Sequence, residues 1–72
     1  MDFNQQTIQS MGFDNYCTNY AVNISENGDL KDGYKFEDET HSLSVTKTDK
    51  HHMVLIRAYI VNEGWKTAEI IL

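Results

Sequence analysis

The chain reads as an α+β domain, mainly β: a short N-terminal helix followed by a five-stranded antiparallel meander, as a twisted sheet or a rolled small barrel. Three observations predict this. Two long apolar runs flank Asn62-Glu63-Gly64 in the last third of the sequence. Apolar and polar residues alternate within residues 19–25, 30–36 and 41–47. Only residues 2–12 are read as carrying apolar side chains at helical spacing.

The C-terminal third, Met53 to Leu72, organises the rest. Val54, Leu55, Ile56, Ala58, Tyr59, Ile60 and Val61 are rich in the β-branched and aromatic types that suit a pleated surface. A three-residue loop with Gly third, Asn62-Glu63-Gly64, predicts a hairpin that pairs Val61 with Trp65, Tyr59 with Thr67, Arg57 with Glu69 and Val54 with Leu72. Opposed residues share a side of the sheet. One face then carries Val54, Ile56, Ala58, Ile60, Ala68, Ile70 and Leu72, which is a core face with Lys66 at its rim. The other carries Leu55, Arg57, Tyr59, Val61, Trp65, Thr67, Glu69 and Ile71 and is half apolar.

Upstream, Phe3, Thr7, Ile8 and Met11 share one helical face, with Asp2 or Asn4 as cap and Gly12 as terminator. Phe13 to Thr18 reads as an irregular connection anchored by Phe13 and Tyr16. Tyr20, Val22 and Ile24 alternate, and Asn27-Gly28 is a hairpin signal. A Glu26-Asn27-Gly28 loop would pair Ile24 with Leu30, Tyr20 with Tyr34 and Thr18 with Phe36, with a bulge at Asp32-Gly33. After the polar break Glu37-Asp38-Glu39-Thr40, Leu43 and Val45 alternate with Ser42, Ser44 and Thr46. A tight turn after Lys47 sets Val45 opposite His52, Leu43 opposite Val54 and His41 opposite Ile56.

Seventy-two residues without a linker-like stretch predict a single domain, 1–72, with a small core. The single cysteine, Cys17, forms no internal disulfide and reads as a small, partly buried thiol; together with the lack of an export signal it predicts a reducing, cytoplasmic setting. No apolar run reaches the ~20 residues of a membrane helix. A net charge of −5 with no basic stripe argues against direct nucleic-acid binding.

Catalytic and metal chemistry find little support. His51 and His52 are adjacent on a strand and point to opposite faces, so they do not chelate one ion together. An EF-hand alignment on Gly33 puts Glu39 at the last ligand position but Gly28 and Leu30 where oxygen ligands belong. No nucleophile elbow, phosphate loop, dinucleotide fingerprint or zinc-protease motif occurs. The expectation is a non-enzymatic protein with neither metal nor cofactor.

That leaves surfaces. Leu55, Arg57, Tyr59, Trp65 and Ile71 are the candidate partner-binding residues, because Trp, Tyr and Arg dominate binding hot spots. The competing reading has the residue 20–36 hairpin folding over this face as a second sheet, which would make Trp65 core. Asp29, Asp32, Glu37, Asp38 and Glu39 form a candidate acidic cluster that would steer a basic partner. The function expected is a small intracellular protein-binding module, a regulator or inhibitor in the style of those that phages and mobile elements encode. Two other readings are a small barrel binding single-stranded nucleic acid or a peptide through Tyr59, Trp65 and Arg57, and a homodimer formed through residues 65–72.

Overall fold

The computed structural model describes residues 4–72, so Asp2 and Phe3 of the expected first helix lie outside the described residues. Two helices, α1 (Gln5–Met11) and α2 (Phe13–Glu26), precede four strands: β1 (Lys35–Glu37), β2 (His41–Lys47), β3 (His52–Ile60) and β4 (Gly64–Ile71). The strands form one antiparallel sheet in the order β1-β2-β3-β4. The fold is therefore α+β and mainly β, as expected. Among the described residues the sheet has four strands rather than five, and its end strands do not pair with one another, so no barrel closes there.

The largest correction concerns Phe13–Glu26, expected as a connection and a strand and found as one helix. Phe13, Tyr16, Cys17, Tyr20, Ala21 and Ile24 recur at spacings of three and four, a continuous apolar stripe over three turns. Tyr20 and Ile24 belong to both patterns. Val22, which only a strand would bury beside them, is 38% exposed. The Asn27-Gly28 pair is a helix stop, not a hairpin turn. Gly28 has φ +84, the left-handed conformation that a side chain disfavours. Gly28 N donates to Ser25 O at 3.1 Å and Asp29 N to Ile24 O at 3.0 Å, the paired bonds of a Schellman cap. With no hairpin there, the 20–36 pairing and the Asp32-Gly33 bulge do not exist. Gly33 N instead donates to Val45 O, and Val45 N to Tyr34 O, extending the β1–β2 ladder.

The first helix follows its sequence signals. Asn4 Oδ1 accepts from Thr7 N at 3.1 Å, and Gly12 ends the helix. Its seven residues are too few to be stable alone. Tertiary bonds hold it: Asn4 N donates to the Tyr16 hydroxyl. The Gln5 amide bridges the C-terminal end of β3, its Nε2 donating to Tyr59 O at 3.0 Å and its Oε1 accepting from Val61 N at 3.1 Å.

Both hairpins keep the expected faces but slip by two residues. β2 pairs Leu43 with Ile56, Val45 with Val54 and Lys47 with His52. The tight turn at Thr48-Asp49 widens to four residues, closed by Thr48 N and Thr48 Oγ1 on His51 O. β3 pairs with β4 as Tyr59 with Trp65, Arg57 with Thr67 and Val54 with Ile70. Its loop is Val61-Asn62-Glu63, with Asn62 at φ 71 and Gly64 opening the return strand at φ 83. A two-residue slip leaves every side chain on its original face, whereas a one-residue slip inverts the strand.

The core lies between one face of the sheet and the two helices. Val54, Ile56, Ala58 and Ile60 of β3, Leu43 and Val45 of β2 and Ile70 of β4 pack against Ile8, Tyr16, Cys17, Tyr20, Ala21 and Ile24. This arrangement decides the fate of the other face: both helices pack on the first, so among the described residues nothing covers the second.

Candidate protein-docking face

The uncovered face is built by the odd-numbered positions of β3 and β4. Tyr59 and Trp65 are directly opposed across the hairpin, and their rings meet edge to face at 5.7 Å and 70°. The Arg57 guanidinium sits over the indole, 4.6 Å from the ring centroid. Tyr59, Trp65 and Ile71 are 46, 50 and 55% exposed, while Leu55 is half-buried. The expected Arg57–Glu69 cross-strand pair does not form. The two-residue slip puts Glu69 opposite Leu55 and hands Arg57 to the aromatic ring.

A shallow concavity of about 370 Å³ runs beside this cluster, bordered by Lys35, Glu37, Ser42, Ser44, Leu55 and Arg57. A smaller hollow of about 110 Å³ lies between Glu37, Asp38, Ser42, Arg57 and Trp65. Arg57 borders both, so one side chain links the aromatic pair to the acidic β1–β2 turn. Lys35, Glu37, Arg57 and Glu69 make the face mixed in charge.

The five candidate steering acids are not equivalent. Asp38 is tied up locally: its Oδ1 accepts from Thr40 N at 2.8 Å, His41 N at 2.9 Å and Thr40 Oγ1 at 2.9 Å. The backbone N–H donors of His41 and Thr40, with the Thr40 hydroxyl and the adjacent His41, hold its carboxyl below the ordinary aspartate value. Asp32 Oδ1 accepts from Lys47 N and prolongs the sheet edge with a side chain. Asp29 sits in the C-terminal cap of α2 and is half-buried. The hairpin expected to gather Asp29 and Asp32 beside Glu37–Glu39 is absent. Glu37 and Glu39 remain exposed, and Glu37 borders both hollows.

One buried polar group was not singled out from the sequence. His41 is 1% exposed. Its Nε2 lies 3.2 Å from the Tyr20 hydroxyl on α2, and its Nδ1 lies 3.0 Å from Thr40 Oγ1 and 3.2 Å from Asp38 Oδ1. The sequence signal was there: His41 is in phase with Leu43 and Val45 and so belongs to the core face. It fastens the β1–β2 turn to α2, holding the acidic rim of the outer face against the helical layer.

Among the described residues, no group of three or more His, Cys, Asp or Glu side chains is arranged to hold a metal ion. No described helix is long and apolar enough to cross a membrane. No protein family matches the chain, and no curated protein or solved structure is detectably similar to it. The fold and surface define a two-layer α+β domain with one helical face and one open, aromatic face.

Proposed function

We propose that this protein is a small, non-enzymatic binding module that docks on a larger protein through the outer face of its sheet, acting there as a regulator or inhibitor. One observation carries the reading: Arg57, Tyr59 and Trp65 form a preassembled cluster that is about half exposed at its centre. Large aromatic side chains left in water on a small domain with an otherwise filled core mark a partner surface. Holding the indole between Arg57 and Tyr59 in the free protein reduces the ordering that binding would cost. The hollow between Glu37, Arg57 and Trp65 suits a basic side chain beside an apolar anchor. Glu37 and Glu39 at its rim favour approach of a partner with a basic surface.

The test is capture of partners from a host lysate by the wild type beside Trp65→Ala and Glu37→Lys, with folding checked by circular dichroism. Loss of a specific protein with Trp65→Ala supports the reading, with an affinity drop of about thirtyfold, the ~2 kcal/mol of a hot-spot residue. Glu37→Lys lowers the association rate and its salt sensitivity more than the dissociation rate. Equal capture by wild type and Trp65→Ala removes the outer face from consideration. Binding of a single-stranded oligonucleotide that weakens steeply with salt would replace a protein partner with a nucleic acid.

A further inference from the structure

The two edges of the sheet differ in kind. β1 is three residues long and carries Lys35 and Glu37, a short and charged edge that resists further pairing. β4 is eight residues long and, among the described residues, no strand lies beyond it. The phase of its ladder is fixed by the last pair: His52 N donates to Leu72 O at 2.8 Å and Leu72 N to His52 O at 2.9 Å. Antiparallel bonding alternates. Ile70, Ala68 and Lys66 therefore bond inward to β3, while the N–H and C=O groups of Trp65, Thr67, Glu69 and Ile71 point away from the sheet.

We propose that this edge pairs with the same edge of a second copy of the chain, antiparallel and centred on Ala68, joining two four-stranded sheets into one. The register follows from the side chains. Only residues with outward-pointing groups can form bonded pairs, so a two-fold axis falls on a residue and not between residues. Centring on Ala68 uses all four: Trp65 faces Ile71 of the second copy, and Thr67 faces its Glu69. That sets Trp65 and Ile71, 50 and 55% exposed in one copy, side by side on the outer face. It also gives about eight new backbone bonds. Centring on Glu69 sets two carboxylates face to face. Centring on Thr67 leaves Ile71 opposite the turn residue Glu63. Lys66, the side chain that would guard this edge, is drawn back to the β3–β4 turn by Glu63 at 2.7 Å. The contact is isologous and uses up the free edge, so it closes at a dimer. Nothing in this inference depends on the docking reading. Both copies would present their Arg57–Tyr59–Trp65 clusters on the same side of the joined sheet.

Sedimentation of the wild type across concentrations, beside Thr67→Pro, tests it. The Thr67 N–H points outward, so proline there spares the β3–β4 ladder and strikes only the new interface. The expected result is a reversible wild-type dimer and a Thr67→Pro chain with unchanged far-ultraviolet spectrum whose dimer is at least about tenfold weaker, because the lost bond occurs twice. A second variant reads the register. Ala68→Cys places two thiols at a non-bonded pair with α-carbons about 4.5 Å apart, within disulfide range, and oxidation should give a covalent dimer while Cys17 stays buried. A monomer mass up to about 1 mM, where associations of only ~4 kcal/mol are visible, overturns the proposal. A dimer that ignores Thr67→Pro and in which Ala68→Cys does not cross-link also overturns it.

Discussion

Truncating Trp65 and Ile56 to alanine distinguishes an open outer face from a covered one. The two residues sit on adjacent strands and opposite faces of the same hairpin. Ile56 is completely buried between the sheet and the helices. Ile56→Ala leaves a cavity in a packed interior and should cost about 2–5 kcal/mol. Trp65 is half exposed, and it makes an edge-to-face pair with Tyr59 and an exposed cation–π contact with Arg57. Those contribute about 0.5–1.5 and 0.5–1 kcal/mol beyond the area the half-covered ring keeps from water, about 1–2.5 kcal/mol for the two contacts, and truncation on an open face leaves no closed cavity. At about 4–8 °C per kcal/mol for a domain of this size, the loss of those two contacts alone lowers Tm by about 4–20 °C. Ile56→Ala lowers it by about 8–40 °C, enough to unfold a marginally stable small domain at ambient temperature. Urea unfolding or calorimetry reads both. Equal losses would mean that Trp65 is packed as deeply as Ile56, and the argument for a docking face would fall.

Further outcomes follow from single groups. Burial, with a smaller contribution from Asp14, pushes the Cys17 thiol up to about 12 from 9.0. The unfolded chain therefore loses this proton first, so stability falls as pH rises above about 9, and a Cys17→Ala control should remove that slope. Thiol labelling at pH 8 should be limited by unfolding; fast labelling of the native protein would refute the burial. Asp38 works in the opposite sense. Its folded value is lowered from 3.8, so its contribution is present above that pH and is lost as acid takes the pH below it. Asp38→Asn should flatten the acid limb of a stability–pH curve. Asn62 holds φ 71 in the β3–β4 turn, so Asn62→Gly should be neutral or stabilising by a few tenths of a kcal/mol while Asn62→Val costs about 1–2 kcal/mol by chemical denaturation.

Much of this molecule was legible because alternation in a strand is a local property. Val54, Ile56, Ala58 and Ile60 had to share a face whatever they paired with, and so did Leu55, Arg57 and Tyr59. The same property hid the register. A slip of two residues leaves the faces untouched, so the hydrophobic pattern has no power to exclude it, and the geometry of two short turns decided it. That slip matters chemically, since it moved Arg57 from Glu69 to the indole of Trp65. Phe13–Glu26 failed for a different reason. Three alternating residues suggested a strand where six apolar residues at spacings of three and four made a helix, and Asn27-Gly28 serves a hairpin turn or a helix cap equally well.

The sequence by itself determined the mainly β α+β character, the two faces of the C-terminal hairpin, the Gly12 stop of the first helix, and the membership of the outer-face cluster. These depend on residue type and on spacings of a few residues. Tertiary structure alone decided which layer covers which face. The apolar stripe of α2 and the core face of β3 and β4 are far apart in the chain, and burial energy depends on area removed from water, not on which segment removes it. Either face of the hairpin had a candidate cover. The helices took one, His41 locked the acidic turn to them through Tyr20, and Trp65 was left facing solvent.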